Sequence, residues 1–308
     1  MFVTAPVPGS PETSPEKLFR YDLSDEELRG TSEGLFSQKQ PSVSEGFVCY
    51  KFEGSSPFAN IGRTLEQRIF EEAFPNETHD KELFEREYGP YDSASTFLVS
   101  FDAKTKEPVG VIRYIKNSSA GLKTMNDVTQ IAAEQGITLN EEILKKTYGI
   151  ASIDNVWDIG TVGVLKTARS ARMAVSGQLY RALYVSIMDK NDGVVHGISV
   201  IDSKTLGQLK EHMGLPMKPL LGMHPFEYLG SSKSETTYSR PDEYAKAVRK
   251  KLALSRCGAA ALGVLPGDWS RKTSKQLNML IGILDAFING KNIDGVIDAD
   301  LQFPVNIR

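Results

Sequence analysis

Apolar positions recur along this chain with two periods, and the switches between them mark out its elements. From Asn155 to Leu215 the pattern runs strand, loop, helix, strand, helix. NVWDIGTVGVL is apolar and β-branched, KTARSARMAVSG is small and basic, and QLYRALYVSIMDK has helical spacing; VVHGISVID is a second strand and SKTLGQLKEHMGL a second helix. Upstream, FVCYKFEG predicts a strand. GRTLEQRIFEEAFP predicts an amphipathic helix with Leu65, Ile69, Phe70 and Phe74 on one face, ended by Pro75. KELFEREYGPYD leads into a hairpin of STFLVSFD and PVGVIRYI around the polar turn AKTKE, followed by two helical stretches, MNDVTQIAAEQG and LNEEILKKTYG. Beyond Leu215, PMKPLLGMHPFEYLG and SETTYSR add one or two strands.

This order predicts an α/β (α+β) fold, a mixed sheet with helices on both faces. Residues 1–45, rich in Pro, Ser, Glu and Gly around one weak helical patch, DLSDEELRG, are expected to form a flexible arm or a wrap over the body. The body spans 46–240. Residues 241–308 form a helical extension containing PDEYAKAVRKKLAL and SKQLNMLIGILDAFING, the second with Leu277, Leu280, Ile281, Leu284 and Ile288 at helical spacing. That apolar face is left with three uses: packing on the sheet, capping a pocket, or a homodimer contact.

The central strand, loop and helix together predict an anion site. A helix that opens after a loop of small and basic residues points main-chain N–H groups and the positive end of its dipole at an arriving phosphate. The anion is expected near Ser176 and Gly177, with Lys166, Arg169 and Arg172 around it.

Composition narrows the classes. The 308 residues are 40% apolar and 24% charged, enough for a sizeable core, and the net charge of −3 argues against a surface built to hold nucleic acid. Cys49 and Cys257 stand far apart without neighbouring ligand residues, no histidine pair has metal spacing, and both thiols are expected reduced and buried. The first residues lack the pattern of a signal peptide, and no apolar run reaches the roughly 20 residues of a membrane span, so a cytoplasmic protein without membrane or metal is expected.

With Arg172-Met-Ala-Val175-Ser-Gly177 as a phosphate loop after the central strand, the chain resembles the GNAT-type acyltransferase superfamily; the leading basic residue and final glycine are kept, and Val stands where a glycine is usual. Three further motifs resemble the acyl-homoserine-lactone synthases and the related N-acyl amino acid synthases. They are Tyr91-Asp92-Ser-Ala-Ser95-Thr-Phe97-Leu before the hairpin, Val109-Gly110-Val-Ile-Arg113 on its second strand, and Val156-Trp157-Asp158 opening the central strand. The resemblance covers about residues 47–230 and implies a GNAT-like, mostly antiparallel sheet. Those synthases carry an arginine beyond the Trp-Glu pair, where Gly160 and Thr161 stand here, and Arg68 and Phe70 are closer together than their counterparts. Both departures speak against S-adenosylmethionine as acceptor.

The resemblance implies an N-acyltransferase with no permanent cofactor, moving an acyl group from acyl-CoA or acyl-ACP, both phosphopantetheine thioesters, to a small amine such as an amino acid. Asp158 is the candidate base, with a cap or salt bridge as its alternative. Asp92 is a candidate for the acceptor's ammonium and Arg113 for its carboxylate, unless the two pair with each other. Arg68 and Trp157 are candidates for the acceptor cleft. The strands carrying Val162 and Val164 and VHGISVI would part to admit the pantetheine arm, with Lys204 touching it and Ser203 capping the next helix. Tyr180 and Tyr184 are core residues or proton donors to the thiolate, and His196, His212 and His224 are expected in the core. An acyl-homoserine-lactone synthase and a non-catalytic thioester- or protein-binding module are the alternatives.

Overall fold

The computed structural model describes residues 19–41, 46–75, 78–168, 171–188, 194–261 and 297–298. Strands β1 (Phe47–Glu53), β2 (Ser95–Asp102), β3 (Pro108–Lys116), β4 (Val156–Val164), β5 (His196–Asp202), β6 (Lys218–Pro219), β7 (Phe226–Tyr228), β8 (Ser231–Ser239) and β9 (Ile297–Asp298) form one sheet. Its order is β6-β8-β5-β4-β3-β2-β1-β9, with β7 also on β8, and every pairing is antiparallel except β4 with β5 and β1 with β9. The expected hairpin is β2 and β3, and the expected central strand is β4.

Alternation along the strands separates the two faces. Val48, Tyr50 and Phe52 join Phe97, Val99 and Phe101 beneath helices α1 (Asp25–Gln38) and α2 (Ala59–Ala73), while Cys49 and Leu98 turn the other way. There they meet Val175, Leu179 and Leu183 of α6 (Arg172–Met188), with Tyr244, Val248 and Leu252 of α8 (Tyr244–Ala261) in the same cluster. In chain order α3 (Lys81–Tyr88) precedes β2, and α4 (Lys123–Glu134) and α5 (Glu141–Tyr148) lie between β3 and β4. Met125, Val128 and Ala132 of α4 pack with Leu144 of α5, Val156 of β4 and Ile198 of β5. No helix among the described residues is long and apolar enough to cross a membrane.

The N-terminal segment is a wrap from residue 19 to 41 rather than a free arm. Ser24 caps α1 in a capping box with Glu27, and Leu28, Leu35 and Phe36 are buried against the sheet. Each such burial contributes about 2 kcal/mol, more than the weak propensity of the segment suggests. The tail helix around Leu277, Leu280, Ile281, Leu284 and Ile288 lies outside the described residues, as does the side chain of Cys257. β9 brings the extension back to the edge of β1.

Two irregularities prepare the site. First, β4 and β5 pair only at Val156–Asp158, opposite His196–Ile198, and part beyond it. Second, the register of β3 on β4 steps from Arg113 opposite Thr161 to Tyr114 opposite Ile159, which leaves Gly160 as the extra residue of a bulge.

Candidate functional site

The parting of β4 and β5 opens a cleft of about 270 Å³, walled by Ile159 to Lys166 on one side and by Val200, Ile201 and Asp202 on the other. Ile69, Phe70, Ala73 and Phe74 of α2 give it an apolar wall, and Tyr88 and Tyr228 lie along it as well. Leu165 N donates to Val109 O at 2.9 Å, which sets the phase of the β3–β4 ladder. By the alternation of an antiparallel pair, the N–H and C=O of Val162 and Val164 then point away from β3 and toward the gap.

The basic end lies where β4 passes into α6. Lys166 and Arg172 line the cleft, and Lys166 is tied down by Glu72, its N–H to the carboxylate at 2.8 Å and its ammonium to the carbonyl at 2.5 Å. Val175 N already donates to Ala171 O, so the helix begins one turn earlier than the sequence pattern suggests. The N–H groups of Ser176 and Gly177 are therefore spent inside α6. The unpaired donors of its first turn belong to Arg172, Met173 and Ala174 instead. Arg169 lies outside the described residues.

Behind β3 and β4 sits a buried ion cluster. Asp92 accepts from Arg63 Nε at 2.9 Å, Arg113 Nη2 at 3.1 Å and Tyr21 Oη at 3.0 Å. Arg113 Nε lies 3.2 Å from Glu66 Oε2, and the other oxygen of Glu66 takes the hydroxyl of Thr161. Two arginines face two carboxylates, so the cluster balances its charge. Burial pushes the Glu66 carboxyl up and the Arg63 guanidinium down. For Arg113 burial also acts against the charge, but Glu66, Tyr21 and Asp92 outweigh it and leave the group above its usual range. The guanidinium lies 4.5 Å from the ring centres of both Tyr88 and Phe97.

At the vertex, where β4 and β5 separate, the Tyr228 hydroxyl donates to Asp127 and receives a bond from Lys123 Nζ at 3.2 Å. Lys123 also reaches Asp127 at 2.6 Å and Glu87 at 3.5 Å and lies 4.8 Å from the Tyr88 ring centre. Burial raises both Tyr88 and Tyr228 well above their ordinary value, so both phenols stay protonated.

The structure thus brings Val162, Val164, Lys166 and Arg172 together on the cleft and sends other expected residues elsewhere. Asp158 is buried with its carboxylate on the first turn of α4, accepting from the Thr124 N–H and from its hydroxyl at 2.9 Å. This is the capping alternative. Burial pushes Asp158 up to about 6, against those two bonds. Asp92 and Arg113 pair with each other in the ion cluster. Arg68 holds Asp25 at 2.7 Å and the Leu23 carbonyl at 2.9 Å, fixing the start of α1. Trp157 stacks on Tyr114 at 4.5 Å on the α6 side of the sheet.

Lys204 is exposed in α7 (Ser203–Gln208), and the cap of that helix is Asp202 rather than Ser203, since Asp202 Oδ1 accepts from the N–H of Lys204 and Thr205. Asp202 is the cap because it is the last residue of β5 and immediately precedes Ser203, the first residue of α7, which places its carboxylate over the first turn. Tyr180 lines the cleft and Tyr184 is half-buried. His196 is buried against the Tyr238 hydroxyl at 2.8 Å, whereas His224 is exposed because its loop lies on the surface; the side chain of His212 is not among those described. Tyr21, Arg63, Glu66, Tyr88, Lys123 and Tyr228 escape sequence reasoning. The one available signal is the polar quartet Asn60, Arg63, Thr64 and Glu66 in a helix half that is buried all round.

No protein-family model matches the chain, and no curated protein matches it by sequence. Among solved structures, the fold is similar to FeeM, an N-acyl amino acid synthase from uncultured soil microbes, at 12% identity over 66% of this chain and 95% of that one, with a TM-score of 0.44. It is similar to BjaI, a CoA-dependent acyl-homoserine lactone synthase, at 17% identity over 76% of this chain and 100% of that one, with a TM-score of 0.44. The acyl-homoserine lactone synthase LasI gives 11% identity over 64% of this chain and 91% of that one, with a TM-score of 0.41. At these identities the likeness is one of fold.

Proposed function

We propose that the chain is an N-acyltransferase that moves an acyl group from a phosphopantetheine thioester to the amine of a small acceptor such as an amino acid. The observation that carries this reading is the parting of β4 and β5 beyond Asp158. It leaves a strand edge, at Val162 and Val164, for the amides of a pantetheine arm, with the first turn of α6 and Arg172 at the same cleft for its phosphate. The donor arrives as acyl-CoA or on an acyl carrier protein; Lys246, Arg249 and Lys250 on the exposed side of α8 favour an acidic carrier surface.

With the phosphate at α6, the arm runs toward the vertex and its thioester comes to rest by Gly160, Tyr88 and Tyr228. The acceptor nitrogen forms the C–N bond as the C–S bond breaks. The ammonium sheds two protons, one to solvent by way of Asp127 before the nitrogen attacks and one that passes along Tyr228 to the departing thiolate; these two side chains already share a hydrogen bond. Asp158, Asp92, Arg113 and Trp157 act behind this wall as positioning residues: the first holds α4, the next two hold β3 against α2, and the last holds the β4 side opposite.

Incubating the protein with acyl-CoA and a thiol reagent, then adding pooled amines, is expected to release thiol only when a true acceptor is present. No release with any donor and acceptor, while thioester binding stays tight, would replace this reading by a binding module. The engagement of Asp158 by Thr124 is the observation that favours that second reading.

A further inference from the structure

Helix α2 is fastened to β4 and the loop after it by three contacts in a row. At the inner end Glu66 takes the hydroxyl of Thr161, and one turn on Ile69 lies over Gly163, where a Cβ would overlap its Cγ2. At the outer end the carboxylate of Glu72 accepts the main-chain N–H of Lys166 at 2.8 Å, while the Lys166 ammonium donates to the Glu72 carbonyl at 2.5 Å. The inner contact is sealed from water, since Glu66 and Thr161 are both buried. The outer one is open to it: Glu72 is half-buried and Lys166 exposed, so this end of the fastening gives way first. Glu72 and Lys166 line the cleft together with Arg172. An acidic side chain therefore occupies a main-chain donor at the basic end of the cleft.

Resting on the transferase reading, we propose that Glu72 stands in for the donor's phosphate, a latch that holds the last turn of α2 across the basic end of the cleft until a phosphate displaces it. The carboxylate and the phosphate compete for the N–H of Lys166, and their like charges repel at that distance. A phosphate that reaches Lys166 and Arg172 drives Glu72 off. The ammonium of Lys166, which satisfies a carbonyl at the C-terminus of α2, turns with it toward the phosphate. Release frees only the outer turn, because the buried contacts of Glu66 and Ile69 keep the helix on the sheet. Ala73 and Phe74, which wall the cleft, move outward with Glu72. The pantetheine arm then enters a cleft that its own phosphate has widened.

The test measures by calorimetry how wild type, Glu72→Gln and Glu71→Gln bind coenzyme A, inorganic pyrophosphate and pantetheine, which carries no phosphate. Glutamine keeps an oxygen for the Lys166 N–H and loses only the charge. Glu72→Gln is expected to bind coenzyme A and pyrophosphate roughly two- to fivefold more tightly, the worth of one half-exposed charge contact, and pantetheine as wild type does. Glu71→Gln removes the same charge from the exposed neighbouring residue and is expected to match wild type. Hydrogen exchange on the unaltered chain guards against a variant that misfolds: residues 70–75 should exchange faster with coenzyme A bound. Coenzyme A binding to wild type with no gain in Glu72→Gln, an equal gain in Glu71→Gln or for pantetheine, or exchange that is unchanged or slower would each overturn the latch and leave the transferase reading standing. Should neither wild type nor Glu72→Gln bind coenzyme A, both fall.

Discussion

The carboxylate of Asp92 meets the guanidinium of Arg113 at 3.1 Å, and neither side chain is more than 1% exposed. Arg63 closes on the same oxygen at 2.9 Å. Removing the charge of Asp92 leaves two buried arginines facing Glu66 alone. Asp92→Asn is therefore expected to cost about 3–5 kcal/mol in urea unfolding. A loss below about 1 kcal/mol would show that the cluster does not brace α2 against β3.

The carboxyl of Asp158 is raised from 3.8 to about 6 by burial. Between those values the folded chain holds a proton that the unfolded chain has released, so stability is greatest below the lower value and falls as pH rises through the upper one. The loss amounts to about 3 kcal/mol. Urea midpoints measured from pH 4 to pH 7, as usual test conditions about the aspartate range, should decline for wild type relative to Asp158→Asn. Parallel curves would remove Asp158 as the source.

Gly163 lies where a methyl group would overlap Ile69 Cγ2 of α2. Gly163→Ala must push α2 from β4, at a cost of about 1–3 kcal/mol, and narrow the cleft between them. Thermal melting and thioester binding should both weaken. An unchanged melting temperature with unchanged binding would mean that the helix yields without affecting the site.

Arg172 is exposed at the basic end of the cleft and lines it. Because it supports no packing there, Arg172→Ala should leave the melting temperature alone and weaken coenzyme A binding roughly ten- to a hundredfold, the worth of a charge-assisted bond. Equal affinity for the variant would place the phosphate elsewhere.

Much of this architecture was legible before any coordinates. Strands β1 to β5 fall on the apolar stretches that predict them, and α5 falls on LNEEILKKTYG. The start of α6 was misplaced because Arg172 to Gly177 look like a loop by composition, while the carbonyl of Ala171 is in position to begin the helix. In α2 the apolar period at Leu65 and Ile69 assigns Arg63 and Glu66 to solvent. Residues 19–23 and the Tyr91–Asp92 turn cover them instead; Arg63 meets Asp92 of that turn and Glu66 meets Arg113 of β3.

The order of elements, the two apolar faces and the basic approach to α6 are local properties, set by residue type and spacing, and the sequence by itself determined them. The tertiary structure alone decided that β4 and β5 part after Asp158, that Gly160 bulges, and that Tyr88, Tyr228, Phe70 and Leu229 converge on the opening. These depend on the register between strands about forty residues apart and on side chains brought from α2, α3 and the end of β7. No period along the chain encodes such a meeting, because its energy comes from contacts that exist only after the sheet has closed.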